Sequence, residues 1–137
     1  MLDAFNPTAV WRPFGPFSMA VLQGEGQIVH LKGQVALDRD GRIVGKGDMR
    51  AQTRQVLLNM AAILAAFGGE LRDVISLTHY VTDLAAFANA GGVRREFFSE
   101  PFPVTTTVQV AALYDPDLLV EIAAITEIPR ERFKRPA

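Results

Sequence analysis

The stretch VLLNMAAILAAF, from Val56 to Phe67, sets the terms for the rest of the chain. Val56, Met60, Ile63, Leu64 and Phe67 recur at i, i+4, i+7, i+8 and i+11, which is one face of an α-helix. With Asp48 as N-cap and Gly68–Gly69 as terminator, the spacing predicts a helix over Met49–Phe67. The run is too short to span a bilayer and carries Asn59, so its apolar face needs cover from the protein itself.

Short strands around the helix supply that cover. Phe17–Leu22 and Ile28–Leu31 read as strands joined by the turn QGEGQ. Gln34–Leu37 and Arg42–Val44 flank DRDG, a hairpin loop in which Gly41 takes a positive φ. Val74–Thr82, Thr105–Ala111 and Leu118–Ala124 are three further strands. Asp83 caps a second helix over Leu84–Phe98, although Gly91–Gly92 inside it would cost about 2 kcal/mol relative to alanine. The basic tail from about residue 127, ending IPRERFKRPA, is expected to pack loosely. The order is strands, helix, strand, helix, strands. It predicts a single α+β domain over residues 1–137, one mixed sheet with two helices on one face. The central strands read as apolar on both faces, so the uncovered face calls for a second copy of the chain.

At 137 residues the chain buries roughly two-thirds of its unfolded surface as one domain. A net charge of −1 does not suit a nucleic-acid or membrane-surface partner. The chain has no cysteine, which rules out disulfides and thiol chemistry. The N-terminus lacks the basic and apolar regions of a signal peptide, and a cytoplasmic location is expected.

The candidate chemistry is sparse. Glu121 interrupts the apolar strand LLVEIAAI, so its carboxylate is paired, neutralised or facing a cleft. Lys32 ends a strand beside Gly33, where a ligand or another backbone can come close. His30 shares the face of Lys32, and His79 shares the face of Leu77 and Val81. Two histidines without cysteine or metal-ligand spacing predict no metal site; a hydrogen-bonded interface histidine is the expectation. GEG and GKGD are not nucleotide-binding fingerprints, and G-x-S-x-G is missing. Threonine runs such as Thr105–Thr107 are ordinary strand filler, with Thr105 and Thr107 on one face.

Several blocks taken together resemble the RidA/YjgF family. These are FNP near the start, GPFSMA (15–20), KGQVALDRDGRIVG (32–45), the run from Gln52 to Phe87, EFFSEPFP (96–103) and VEIAAI (120–125). Their order and spacing hold over about residues 5–126. The resemblance implies a chorismate-mutase-like fold and a homotrimer whose sheets form a central barrel, with three clefts between neighbouring subunits. It also implies hydrolysis of enamine and imine intermediates without cofactor or metal. Active members hold the substrate carboxylate with an arginine in P-x-R-[ST]. Here that stretch is Pro103-Val104-Thr105-Thr106, so Thr105 stands where the arginine is expected. A hydroxyl cannot make the bidentate pair that a guanidinium makes with carboxylate.

Other family positions also change. The G-P-Y-S tyrosine is Phe17, the S-G-Q serine is Lys32, and the asparagine of N-x-V-Y-x-x-F-F falls on Gly91. Glu121 and the Gly33 backbone are kept. The chain thus resembles a divergent subgroup that lacks the catalytic arginine.

Two functions are compatible with this pattern. In the first, an imine or enamine deaminase acts on a small metabolite other than the usual 2-imino acids. Glu121 and Lys32 are its catalytic groups, and Phe17, Gly33, Thr105 and Thr107 bind substrate. In the second, a non-catalytic trimer binds a small molecule or serves regulation, and Lys32 and Glu121 merely pair. Ribonuclease activity, attached to some relatives, fits the near-neutral charge poorly.

Overall fold

The computed structural model describes all residues, Met1–Ala137. Its centre is a mixed four-stranded sheet of β3 (Gln27–Gln34), β4 (Val74–Val81), β5 (Val104–Gln109) and β6 (Val120–Ile128). The strand order is β3-β6-β4-β5, so β3 and β5 are the two edges. The β4–β5 pair is parallel and the other pairs are antiparallel. A separate two-stranded ribbon joins β1 (Asp3–Phe5) to β2 (Ala20–Leu22). Three α-helices, α1 (Met49–Ala66), α2 (Leu84–Asn89) and α3 (Gly91–Phe97), and a single 3-10 turn at Leu71–Asp73 complete the chain.

The helix α1 forms as its periodicity and caps require. The Asp48 side chain accepts from the Ala51 amide at 3.0 Å, and the helix stops before Gly68. Its buried face includes Val56, Leu57, Met60 and Leu64, packed into one core with Leu31, Leu77, Val81, Val120 and Ile122 from the sheet. Gln52, fully buried on that helix, has every polar atom satisfied. Its Nε2 donates to the carbonyls of Gly45 and Asp117 at 3.1 and 2.9 Å, and its Oε1 accepts from the Leu119 amide at 2.8 Å. One amide thus ties the α1 entry loop to the approach of β6, where an unmet partner would cost a desolvation penalty.

Several expectations are corrected. The single helix over Leu84–Phe98 is two, broken at Ala90, where the paired glycines weaken helix propagation. Phe17–Met19 are not strand. Ser18 instead bonds the 102–103 segment, its amide to Pro103 and its hydroxyl to Phe102. The DRDG hairpin keeps only one bridge, Leu37 to Ile43, with Gly41 at φ 79°. Asp38 fastens that loop, accepting from the amides of Asp40 and Arg42, both at 2.9 Å.

The tail is not loose. β6 continues to Ile128, and Arg132 then forks onto buried Asp73 at 2.5 and 3.0 Å while also donating to the Gly68 carbonyl. Phe133 stacks on Phe67. The second sheet face is also less apolar than expected. Opposite the core-facing residues of β4 and β6 lie Ser76, Thr78 and Tyr80 beside Glu121, Ala123 and Ile125, all half-buried. No helix is long and apolar enough to cross a membrane.

Candidate functional site

The residues singled out in the sequence fall into two cavities, one at each edge of the sheet. At the β5 edge, Thr105 and Thr107 pair with Leu77 and His79 of β4, which turns both threonines toward the helical layer. There they line a cavity of about 730 Å³ together with Phe17, Phe87 and Arg94. At the β3 edge, Lys32, Gly33 and Glu121 line a second cavity of about 690 Å³, walled by Asn59 and Ile63 of α1 and by Tyr114.

The β3-edge cavity is shaped by a register shift between Leu31 and Gln34, where β3 loosens from β6. The Glu121 side chain folds over Gly33 at this point. A Cβ on Gly33 would lie 2.9 Å from the Glu121 carboxyl carbon, so only glycine leaves the carboxylate its place. Glu121 is half-buried and makes no hydrogen bond or ion pair within the chain. Lys32 is exposed and does not pair with it. Asn59 is held by the carbonyls of Val35 and Leu37 at 3.2 and 2.9 Å, which anchors the cavity rim to α1. Tyr114 is 93% exposed on the other side.

The β5-edge cavity has an aromatic wall. Trp11, Phe14 and Phe17 form a cluster with ring centroids 5.3 to 5.9 Å apart. Behind it His79 is buried, its Nδ1 2.9 Å from the Thr107 hydroxyl and its ring 4.9 Å from Phe87. His79 Nε2 has no partner. Burial, reinforced by the charge of Arg94, lowers the imidazole pKa from 6.5 to about 3, so the ring is neutral at physiological pH. Of the expected hydrogen-bonded interface histidine, His79 has the hydrogen bond, made to the neighbouring strand of its own chain. His30 lies exposed on β3 with no side-chain bond.

Arg94 had no place in the sequence-level site. It lies at the second turn of α3, its guanidinium carbon 4.1 Å from the Phe87 ring centre. Its Nη1 donates to the Phe87 carbonyl at 3.3 Å. The guanidinium pKa is lowered, first by burial and then by the neighbouring charge of Arg95. The available signal was the spacing of seven from Phe87, two helical turns, inside a run that otherwise reads as surface charge.

Within one chain, then, Phe17, Thr105 and Thr107 come together, and Lys32, Gly33 and Glu121 come together, but the two groups do not meet. Neither cavity is a complete catalytic site. One has hydroxyls, a neutral imidazole and two arginines; the other has the free Glu121 carboxylate with Lys32 and Arg39.

Known proteins share this fold and much of this sequence. The family model described as endoribonuclease L-PSP matches residues 8–128. A RutC family protein of Pyrococcus horikoshii is 44% identical over 115 residues, covering 83% of this chain and 88% of its own length. A 2-iminobutanoate/2-iminopropanoate deaminase of Dermatophagoides farinae is 33% identical over 117 residues, covering 85% and 89%. The crystal structure of a Rid-family protein of unknown function from Yersinia pestis superposes with a TM-score of 0.80 at 34% identity, covering 93% of this chain and 98% of that one. With the family match extending from Thr8 to Ile128 and the fold reproduced in a solved relative, the chain belongs to the RidA/YjgF family.

Proposed function

We propose that the protein is an imine or enamine hydrolase that works as a homotrimer, each cleft joining the β5-edge cavity of one protomer to the β3-edge cavity of the next. The division of polar groups between the two sheet edges carries this reading. The carboxylate able to move protons and the groups able to hold a substrate lie on different edges of one chain, so only a second copy can bring them together. The deaminase relative from Dermatophagoides farinae supports the reaction class.

In such a cleft Glu121 is the general base. It takes a proton from water as the water oxygen bonds to the imine carbon, and passes that proton to nitrogen. The hydroxyl proton then moves to nitrogen through the same carboxylate, the C–N bond breaks, ammonia leaves and a carbonyl remains. Lys32, exposed beside Gly33, adds positive charge at the rim. Thr105 supplies a hydroxyl where active relatives carry a guanidinium, so small 2-imino acids are poor substrates and a larger molecule is favoured. That neutral Thr105 also motivates the second reading, a trimer that binds a metabolite without turning it over.

The test is ammonia release from imino acids generated in situ from a panel of amino acids. Hydrolase activity is expected on members larger than 2-iminopropanoate and is expected to vanish in Glu121→Gln. Thr105→Trp, which blocks the other half of the cleft, should also be inactive. Mixed assembly of the two variants should restore activity in about one cleft in four, if subunits combine at random. Release no faster than without protein, across the panel, would leave the binding trimer. Activity that does not return on mixing would refute the shared cleft.

A further inference from the structure

Arg94 is an arginine without a carboxylate. None of the chain's ion pairs includes it, and apart from Nη1 its donors find no acceptor in the protein. Yet it is half-buried, stacked on Phe87 and oriented by the Phe87 carbonyl. Removing a guanidinium from water without an anionic partner is costly unless something else compensates the charge. A surface arginine would swing into solvent; this one is fixed by the ring beneath it. Other cations surround it: Arg95 is next in sequence, and Arg50 reaches the Asn89 carbonyl at 3.5 Å. No acidic side chain lines the cavity, whose remaining polar side chains are Arg95, Thr105, Thr107, the neutral His79 and the Trp11 indole.

We propose that Arg94 is the carboxylate-binding residue of this cleft, so that the cavity takes a carboxylic acid with a large apolar or aromatic substituent. The guanidinium has the planar fork that carboxylate recognition needs. Trp11, Phe14 and Phe17, which line the same cavity, offer apolar surface to the rest of the molecule. A cavity of about 730 Å³ is far larger than a three-carbon acid fills, which selects for bulk. Arg94 projects from α3, whereas Thr105 is on β5. The acid group is therefore gripped from the helical layer and not from the sheet. Combined with the proposed reaction, the substrate class is an aryl or long-chain 2-imino acid and the product the matching 2-oxo acid. That last step rests on the hydrolase reading; the binding site does not.

Trp11 is the sole tryptophan of the chain and lines this cavity, so its fluorescence reports occupancy directly. The probes are phenylpyruvate and its uncharged amide, titrated against the full-length protein. Phenylpyruvate is expected to bind more tightly than the amide, and R94Q to weaken the acid about tenfold or more while leaving the amide unchanged. R54Q, whose guanidinium pairs with Glu96 outside this cavity, should bind the acid as the parent does. Equal affinity for acid and amide, or an R94Q variant that holds the acid normally, would overturn the assignment. Loss of acid and amide together would make Arg94 a packing residue and overturn it equally. Acid binding that depends on Arg94 without any ammonia release would remove the hydrolase reading and leave the site. Turnover of aryl imino acids that R94Q does not impair would do the reverse.

Discussion

His79 illustrates how a single side chain acquires its properties from the fold. In isolation it titrates near 6.5; packed against Phe87 and close to Arg94, it does not take a proton until about pH 3. The unfolded chain therefore binds a proton between pH 6.5 and 3 that the folded chain does not. Stability is unaffected above pH 6.5 and falls as pH drops below it, by up to about 1.4 kcal/mol per pH unit. Denaturation midpoints measured from pH 7 to pH 4.5 should show this decline, and His79→Gln should flatten it, at the cost of a lower plateau at pH 7. A decline of the same slope in the variant would assign it to other groups. Gly33 is another residue whose role is spatial, because its missing side chain is what lets the Glu121 carboxylate fold over the strand.

At the level of elements, legibility in the sequence depended on whether the determinants were local. The helix α1 was readable because its cap, its apolar period and its stop all lie within twenty or so positions. The break between α2 and α3 was foreshadowed by Gly91–Gly92. β1 was not legible: Asp3–Phe5 is too short to show alternation, and it becomes a strand only by pairing with Ala20–Leu22. Arg94 was hidden for the same reason as Arg132. Both sit in runs of charge that read as solvated, and both find their contacts through folding, one with Phe87 and one with Asp73.

The tail shows the energetic weight of such a contact. Asp73 is 5% exposed, accepts from the Glu70 amide at 2.8 Å and has the Arg132 fork as its charged partner. Arg132→Ala would leave that carboxylate buried with its charge uncompensated. A loss of about 3 kcal/mol in chemical denaturation is expected, and deletion of residues 130–137 should cost at least as much. A loss below about 0.5 kcal/mol would return the tail to the status of a surface appendage.

For the molecule as a whole, the sequence offers candidate site residues but not their grouping, which depends on strand order. Thr105 and Glu121 lie in strands separated by β4 in neither case by sequence logic but by the order β3-β6-β4-β5, which only long-range pairing determines. The proposed trimer predicts three times the chain mass by sedimentation at micromolar concentration, and a monomeric mass would remove the shared cleft.

The two-cavity arrangement bears on how activity responds to dilution. The hydrophobic core is closed within one chain, whereas the proposed catalytic unit requires two. Under that assembly, separated subunits would keep their circular dichroism and lose their turnover. Rate per chain would rise with protein concentration until the ring is saturated, and an assay run far below that point would report an inert protein that is nonetheless folded.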